Sequence, residues 1–396
     1  MKVVQINATA NMGSTGKIAY AIKSLLDAEG NENYIFYSLG KCEDKSCIKF
    51  GGKAYIKIQA LKSRLFGNFG FGSKRITRKM IKKLDEISPD IVHLHNVHSH
   101  NVNLSLLLKY LEKKKIKVVW TFHDCWAFTG YCPHYEYEKC DKWQNGCKEC
   151  VLKKNYSFFS DKSERLYKRK KELVRALDLT VVTPSEWLKN QVEKSFLKDK
   201  KAVVINNGID LATFKPIESD FKKRYGIEDK FIVLGVSYIW NDKKGLDVFI
   251  RLANELNDNF KIVMVGVDGR TAKKLRENVI AIERTESREE LAEIYSAADV
   301  FVNPTLEDTF PTVNIESLAC GTPVITFDVG GSPEIIDKTC GIVVKKEDTD
   351  GLIEEIVKIK NDRPFTEEAC VLRSKQFDCN KNFAEYIKLY KGLIKE

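Results

Sequence analysis

Short β-branched runs alternate with longer amphipathic stretches along most of the chain, and no other feature restricts its fold as much. In the first half the runs are KVVQIN, NYIFYSL, DIVHLHN, KVVWTFH and LTVVTPS; in the second they are FIVLGVS, FKIVMVG, VIAIE, DVFVNP, PVITFD and GIVVK. Helical patterns such as GKIAYAIKSLLDAEG and SREELAEIYSAADV lie between them, often with a Gly at their ends. Continuous apolar strands separated by helices require parallel sheets covered on both faces. With 396 residues, the chain exceeds one ordinary core of roughly 100 to 200 residues. The expected class is therefore α/β: two facing Rossmann-like, doubly wound parallel-sheet domains with a cleft between them. The joint is expected at VINNGIDLATF, Val204 to Phe214, where Asn-Asn-Gly breaks a strand. That predicts an N-terminal domain over 1–208, with 376–396 packing back on it, and a C-terminal domain over 209–375.

Charge changes sign at the same joint. From Met1 to Asp210 there are 38 Lys and Arg against 22 Asp and Glu, a net +16; from Leu211 to Glu396 there are 27 against 33, a net −6. A basic half suits nucleic acid, an anionic membrane surface or acidic small molecules, and charge does not choose among them. With 43% apolar residues, 30% charged, 9 Pro and no low-complexity tract, a fibrous, collagen-like or largely disordered chain is excluded. The uncharged stretch Ile91 to Leu108 holds four His and three Asn and makes no comfortable membrane span. The opening MKVVQINATANMG lacks the basic and small-residue marks of an export signal, and eleven Cys then fit a reducing compartment. The expected location is cytoplasmic, with peripheral attachment at the inner face of the plasma membrane.

In doubly wound sheets, ligands bind at the carboxyl ends of the strands. The first such loop contains Gly13, Ser14, Thr15 and Gly16, ahead of a helix whose free amides and dipole could meet a phosphate; a flexible connection is the plainer reading. All six His lie between His93 and His134; His123 ends KVVWTFHD and His95 ends the preceding strand. Either can be a ligand contact or a satisfied structural group. Cys132, Cys140, Cys147 and Cys150 fall within 19 residues and end in C-x-x-C, enough for a tetrahedral structural zinc, with His134 as an alternative ligand. Seven residues separate the first two Cys, unlike a zinc ribbon, and free thiols or labile disulfides stay open; Cys125 reads as buried. Lys243 and Lys244 precede the Gly that opens a helix, where a cation can neutralise a diphosphate or merely be solvated. In NPTLEDTFPTVNIESLACGTPVITFDVGGSPEII, Asp308 ends a strand-to-loop segment and Glu316 stands in the first turns of a helix. Their carboxylates suit sugar or ribose hydroxyls and the amides of Thr309 and Phe310 suit polyol oxygens, while a helix cap is the plainer role for Asp308.

The run from Asn303 to Val329, with GTPV and GGSPEII, resembles the donor-binding core of the retaining glycosyltransferases of family four. The resemblance extends over the Gly-Ser-Thr-Gly loop, TFHD, VTPSEWLKN, NNGID and the KKG loop, and TFHDCWAFTG with its Cys cluster looks like a subgroup acting in bacterial surface-polysaccharide assembly. It implies two facing Rossmann-like domains. It also implies that Glu316 holds the ribose hydroxyls, Asp308 the donor sugar with the Thr309 and Phe310 amides, Lys244 the diphosphate and His123 the transferring sugar. Gly13 to Gly16 would close over the diphosphate, and Gly266 and Arg284 would meet the base. Two positions depart from the family: Asp308 stands where Glu is usual, with Glu307 one step off register, and Tyr238 stands where an Arg usually grips the diphosphate, a task Lys243 could take. The function implied is transfer of a hexose-type sugar from a nucleotide diphosphate sugar to a sugar or lipid-linked oligosaccharide acceptor, with no cofactor for catalysis. A nucleotide-sugar epimerase of the same fold and a zinc-dependent nucleic-acid-binding protein are the competing readings; the latter leaves the second half unexplained, and no nucleic-acid partner is expected.

Overall fold

The computed structural model describes residues 1–395. Its chain divides into two compact units, one of residues 1–206 with 380–396 and one of residues 207–379. The division falls inside the Asn-Asn-Gly segment.

In the first unit the strands are β1 (Lys2–Ile6), β2 (Glu32–Tyr37), β3 (Cys47–Lys49), β4 (Ile91–Leu94), β5 (Lys117–Thr121), β6 (Leu179–Thr183) and β7 (Lys201–Val204). They form one parallel sheet in the order β3-β2-β1-β4-β5-β6-β7. The second sheet holds β8 (Phe231–Val236), β9 (Phe260–Val265), β10 (Val279–Ile282), β11 (Val300–Asn303), β12 (Val324–Phe327) and β13 (Gly341–Val344), again parallel, in the order β10-β9-β8-β11-β12-β13. Helices of eight or more residues cover them: α1 (Gly13–Ala28), α2 (Lys53–Phe66), α3 (Lys74–Ile87), α4 (Leu104–Lys114), α5 (Ser163–Arg175) and α6 (Glu186–Lys194) in sequence up to the joint. Beyond it come α7 (Leu246–Glu255), α8 (Arg288–Ala297), α9 (Thr312–Ala319), α10 (Thr349–Asp362), α11 (Glu367–Ser374) and α12 (Cys379–Lys395).

The eleven apolar runs all became strands, because central parallel strands are buried on both faces and must be apolar throughout; every residue of β4, β6, β11 and β12 is buried. The two strands absent from that reading, β3 and β7, lie at the sheet's edges. There three residues of β3 and the half-exposed KAVV of β7 need no continuous apolar run. Helix α12 returns to the first unit, burying Phe383, Tyr386, Ile387, Tyr390 and Leu393 at spacings of three and four.

Strand order reverses direction between β1 and β4 in one sheet and between β8 and β11 in the other. Crevices outside the carboxyl ends of strands open at such switch points. The β1 loop with Gly13, the β4 end with His95, the β8 loop with Lys244 and the β11 loop with Asp308 all occupy these positions.

Candidate active site

In the second unit a short 3-10 turn (Asp242–Lys244) precedes α7, and the Asn241 side chain accepts from the Lys244 amide at 3.2 Å. Gly245 follows with φ 74°, a left-handed turn in which an added Cβ would lie 2.4 Å from the Pro304 ring. This aims the Lys244 ammonium at the β11 loop, where it meets Asp308 Oδ2 at 2.9 Å and Thr305 Oγ1 at 3.3 Å. Its neighbour Lys243 pairs with Glu307 Oε1 at 2.9 Å, and that carboxylate side chain is only 9% exposed. Withdrawing Lys243 to grip phosphate would strand a buried carboxylate, which is strongly unfavourable. Lys243, expected among the donor ligands, here faces Glu307, while Lys244 faces Asp308.

The cap role for Asp308 does not hold, since α9 begins at Thr312 behind Pro311. Instead Asp308 Oδ1 accepts from the Phe310 amide at 3.2 Å. The Phe310 amide is therefore turned to Asp308 rather than to a sugar, and the Phe310 ring is buried against Phe377. Thr309 is buried in the same loop. Glu316, the fifth residue of α9, is half-buried and accepts from the Tyr295 hydroxyl at 3.3 Å. Tyr295 comes from α8 and is fully buried, so burial and then the Glu316 charge raise its pKa and keep the hydroxyl a donor. No motif flagged this support. Gly266 ends β9 with φ 88°, and its amide donates to Ile282 O at 2.9 Å; Arg284, two residues beyond β10, is exposed.

In the first unit α1 starts at Gly13 with no side-chain cap and no acidic residue in its first turn. Gly13 and Ser14 are exposed, Thr15 Oγ1 lies 3.3 Å from Asn7 Nδ2, and Gly16 is buried against Thr9. The four residues expected to face a diphosphate thus form an uncapped helix start whose amides can take an anion.

Behind it runs a buried chain of hydrogen bonds. Gln5 Nε2 donates to Ala19 O at 2.9 Å, which turns Gln5 Oε1 toward His95 Nε2 at 3.0 Å. With Gln5 Oε1 accepting, His95 Nε2 carries the proton and its Nδ1 accepts from His123 Nε2 at 3.0 Å. His93 lies tilted against His95 with ring centroids 3.9 Å apart; its Nε2 meets Thr121 Oγ1 at 2.8 Å and its Nδ1 meets the Tyr390 hydroxyl at 2.6 Å. His95 and His93 are structural links in this chain, and His123 ends it. Nearby His98 Nε2 pairs with Asp124 Oδ2 at 2.8 Å.

Burial pushes the His123 pKa down to about 4 and holds His93 and His95 well below the usual imidazole range. Unfolded imidazoles take up protons near pH 6.5, whereas these do not, so below that pH the unfolded chain binds more protons. Stability should be fully present above pH 6.5 and fall as pH drops, by up to about 1.4 kcal/mol per pH unit for each such His. Melting curves between pH 6.5 and 4.5 should show this fall, and His95→Gln should flatten it; an equal slope in the variant would refute the assignment.

The four cysteines proposed for zinc lie in one region, where the charge of one thiol bears on another: Cys132 on Cys147 and Cys150, and Cys147 on Cys140 and Cys150. Cys147 Sγ accepts from the Gly130 amide at 3.1 Å, Cys132 is buried, and Cys140 and Cys150 are half-buried. Among the described residues no group of three or more His, Cys, Asp and Glu is placed to hold a metal ion. Cys125 is buried, as expected.

Comparison with known proteins supplies an independent test. Residues 18–213 match the family Glycosyltransferase Family 4 and residues 230–362 match Glycosyl transferases group 1. Over 377 residues, 89% of this chain and 90% of the other, there is 25% identity to WcaC of Escherichia coli, named for colanic acid biosynthesis. An N,N'-diacetylbacillosaminyl-diphospho-undecaprenol alpha-1,3-N-acetylgalactosaminyltransferase of Campylobacter jejuni is 31% identical over 50% of this chain and 56% of its own length. Among solved structures, Anabaena HepE in complex with UDP-glucose superposes with a TM-score of 0.66 at 15% identity, over 98% of this chain and 99% of that one.

Proposed function

We propose that this chain, which belongs to glycosyltransferase family 4, moves a hexose-type sugar from a nucleotide diphosphate to an acceptor hydroxyl with retention of configuration, in bacterial surface-polysaccharide assembly. One observation carries the reading: Lys244 and Asp308 meet at the switch point of the second sheet, a cation for the diphosphate beside a carboxylate for sugar hydroxyls. Neither the epimerase nor the nucleic-acid-binding alternative finds support, since both matched families are glycosyltransferases. The Anabaena complex supports a nucleotide sugar donor, and the Campylobacter relative's name supports a lipid-linked acceptor.

In this scheme the barrier is set by negative charge gathering on the departing diphosphate. Lys244 neutralises that charge, and more fully once the sugar has engaged Asp308, so it stabilises the transition state more than the ground state. Glu316, oriented by Tyr295, accepts from the ribose hydroxyls. His123 contacts the transferring sugar. Retention proceeds on one face, with a departing phosphate oxygen receiving the acceptor's proton. The Asp-x-Asp pair at Asp348 and Asp350 does other work, since Asp348 caps α10 and Asp350 pairs with Arg251. Catalysis is proposed to need no divalent metal.

Incubation with a panel of nucleotide sugars tests the reading. Nucleoside diphosphate release that depends on an added acceptor is expected; an isomerised free sugar released without acceptor would overturn it. A structural zinc remains a proposal from cysteine spacing alone, to be dropped if metal analysis finds less than about half an equivalent per chain.

No helix among the described residues is long and apolar enough to cross a membrane. Peripheral docking of a cytoplasmic enzyme on an anionic inner leaflet is proposed from the basic faces at Lys74 to Lys83 and Lys162 to Lys171. From the latter Lys170 is removed. It is buried, it lies 4.0 Å over the Trp126 ring and donates to Trp126 O, and burial lowers its pKa to about 7.

A further inference from the structure

Helix α2 turns its apolar residues outward. Of its 14 residues only Ile56 and Ser63 are buried, whereas Ile58, Leu61, Leu65 and Phe66 are 53%, 55%, 38% and 66% exposed. Positions 58, 61 and 65 follow one helical stripe, with Phe66 beside it. The helix also carries Lys53, Lys57, Lys62 and Arg64 and no carboxylate.

A second exposed apolar group adjoins this stripe. Val151, Phe158 and Phe159 are 66%, 46% and 73% exposed. The segment is tied to α2, since the Phe158 amide donates to Arg64 O at 2.9 Å and Arg64 Nη2 donates to Lys154 O at 3.1 Å. The Arg64 guanidinium also lies 4.4 Å from the Phe158 ring centroid, and that ring is 6.4 Å from Phe159. Seven large apolar side chains are thus exposed on α2 and the segment tied to it, more than the scattered exposure ordinary for a surface.

Where α2 ends, Phe66 and Gly67 form the rim of a cavity of about 1110 Å³ that extends to α3, α4 and α5. Lys168 and Arg169 in its wall are paired with Glu164 and Glu172. Lys74, Lys109, Lys162 and Arg165 add four further cations there. Lysine is depleted where proteins meet one another, but an apolar stripe flanked by lysines and a basic hollow suits a lipid surface, whose acyl boundary is apolar and whose headgroups are anionic.

We propose that α2 and residues 151–159 dock the first unit on an anionic bilayer, the apolar stripe entering the headgroup boundary and the basic cavity receiving lipid phosphates. This adds an apolar contact on α2 beside the basic clusters that begin at Lys74 and Lys162, both of which line the cavity, and it rests on the membrane-side acceptor proposed above. Flotation with phosphatidylcholine vesicles, with and without phosphatidylglycerol, tests it on the full chain. The wild type should float with the anionic vesicles only, and Leu61→Ser/Phe66→Ser/Phe159→Ser should lower its partition by about tenfold or more. Lys57→Glu/Lys62→Glu should lower it by about tenfold as well and carries the test if the first variant melts early. Both should release nucleoside diphosphate with a soluble acceptor at the wild-type rate. Wild-type protein that stays off anionic vesicles at low salt overturns the proposal, as do variants that float like wild type. So does an apolar variant whose sole change is loss of a concentration-dependent dimer, which would assign the face to a second copy. Absence of any sugar transfer by the wild type would instead sink the glycosyltransferase reading, whatever the vesicles show.

Discussion

Lys244→Ala is expected to lower turnover by about 10²- to 10³-fold, the usual cost of deleting one preorganised charge or donor from a transition state. The geometry sharpens this expectation. Without donor the Lys244 ammonium is held by Asp308 Oδ2 at 2.9 Å and lies 3.5 Å from Glu307 O. An arriving diphosphate must compete with Asp308 for it, and once the sugar engages Asp308 the lysine is released toward the phosphate. Removing the lysine therefore weakens diphosphate binding and leaves Asp308 without its cation. Lys244→Arg keeps charge on a longer, planar group and should recover part of the rate. Lys243→Ala should act chiefly on stability, because its partner Glu307 is buried. Steady-state kinetics with melting curves separate the two. Wild-type turnover in Lys244→Ala would remove the central residue of the mechanism.

Gly266→Ala should destabilise the second unit by about 3 to 5 kcal/mol, lowering its melting temperature by roughly 10 °C. Two costs add. A φ of 88° is one that L side chains rarely adopt, and the new methyl would lie 1.6 Å from Ser237 O, closer than any contact allows. Neither is easily relieved, since Ser237 N donates to Val265 O at 3.1 Å and Gly266 N to Ile282 O at 2.9 Å, which ties β8, β9 and β10 together at their carboxyl ends. Gly13→Ala is the control: its φ is 68° but an added Cβ meets nothing within 4 Å, so only a strain of about 1 kcal/mol is expected. Equal melting temperatures for Gly266→Ala and wild type would show that the loop can yield. Thermal denaturation with a bound nucleoside diphosphate would show in addition whether loss of this turn also loosens the nucleotide.

Much of the site was legible because it lies in short contiguous segments. Asp308 and Glu316 are eight residues apart in one loop and helix, and Lys244 directly precedes the glycine that starts α7, so spacing alone brought them to strand ends. What spacing could not supply were partners from elsewhere in the chain. Tyr295 reaches Glu316 from another helix, and Gln5 orients His95 across 90 residues. The Phe310 amide was misjudged because its acceptor depends on one side-chain rotamer of Asp308. For the cysteines, a count of thiols says nothing of how their sulfur atoms are arranged, which is why the zinc stays a proposal.

By itself the sequence determined the two doubly wound sheets, eleven of their thirteen strands and the family. Strands buried on both faces can be built only from continuous apolar runs, and helices between them only from amphipathic ones. The tertiary structure alone decided which charge answers which. Lys243 takes Glu307 and Lys244 takes Asp308 because a left-handed Gly245 packed on Pro304 sets the angle at which two adjacent side chains leave the loop. It also decided the hydrogen-bonded chain from Gln5 through His95 to His123, and the outward face of α2. Both follow from contacts between distant parts of the chain, and a linear pattern carries no record of those.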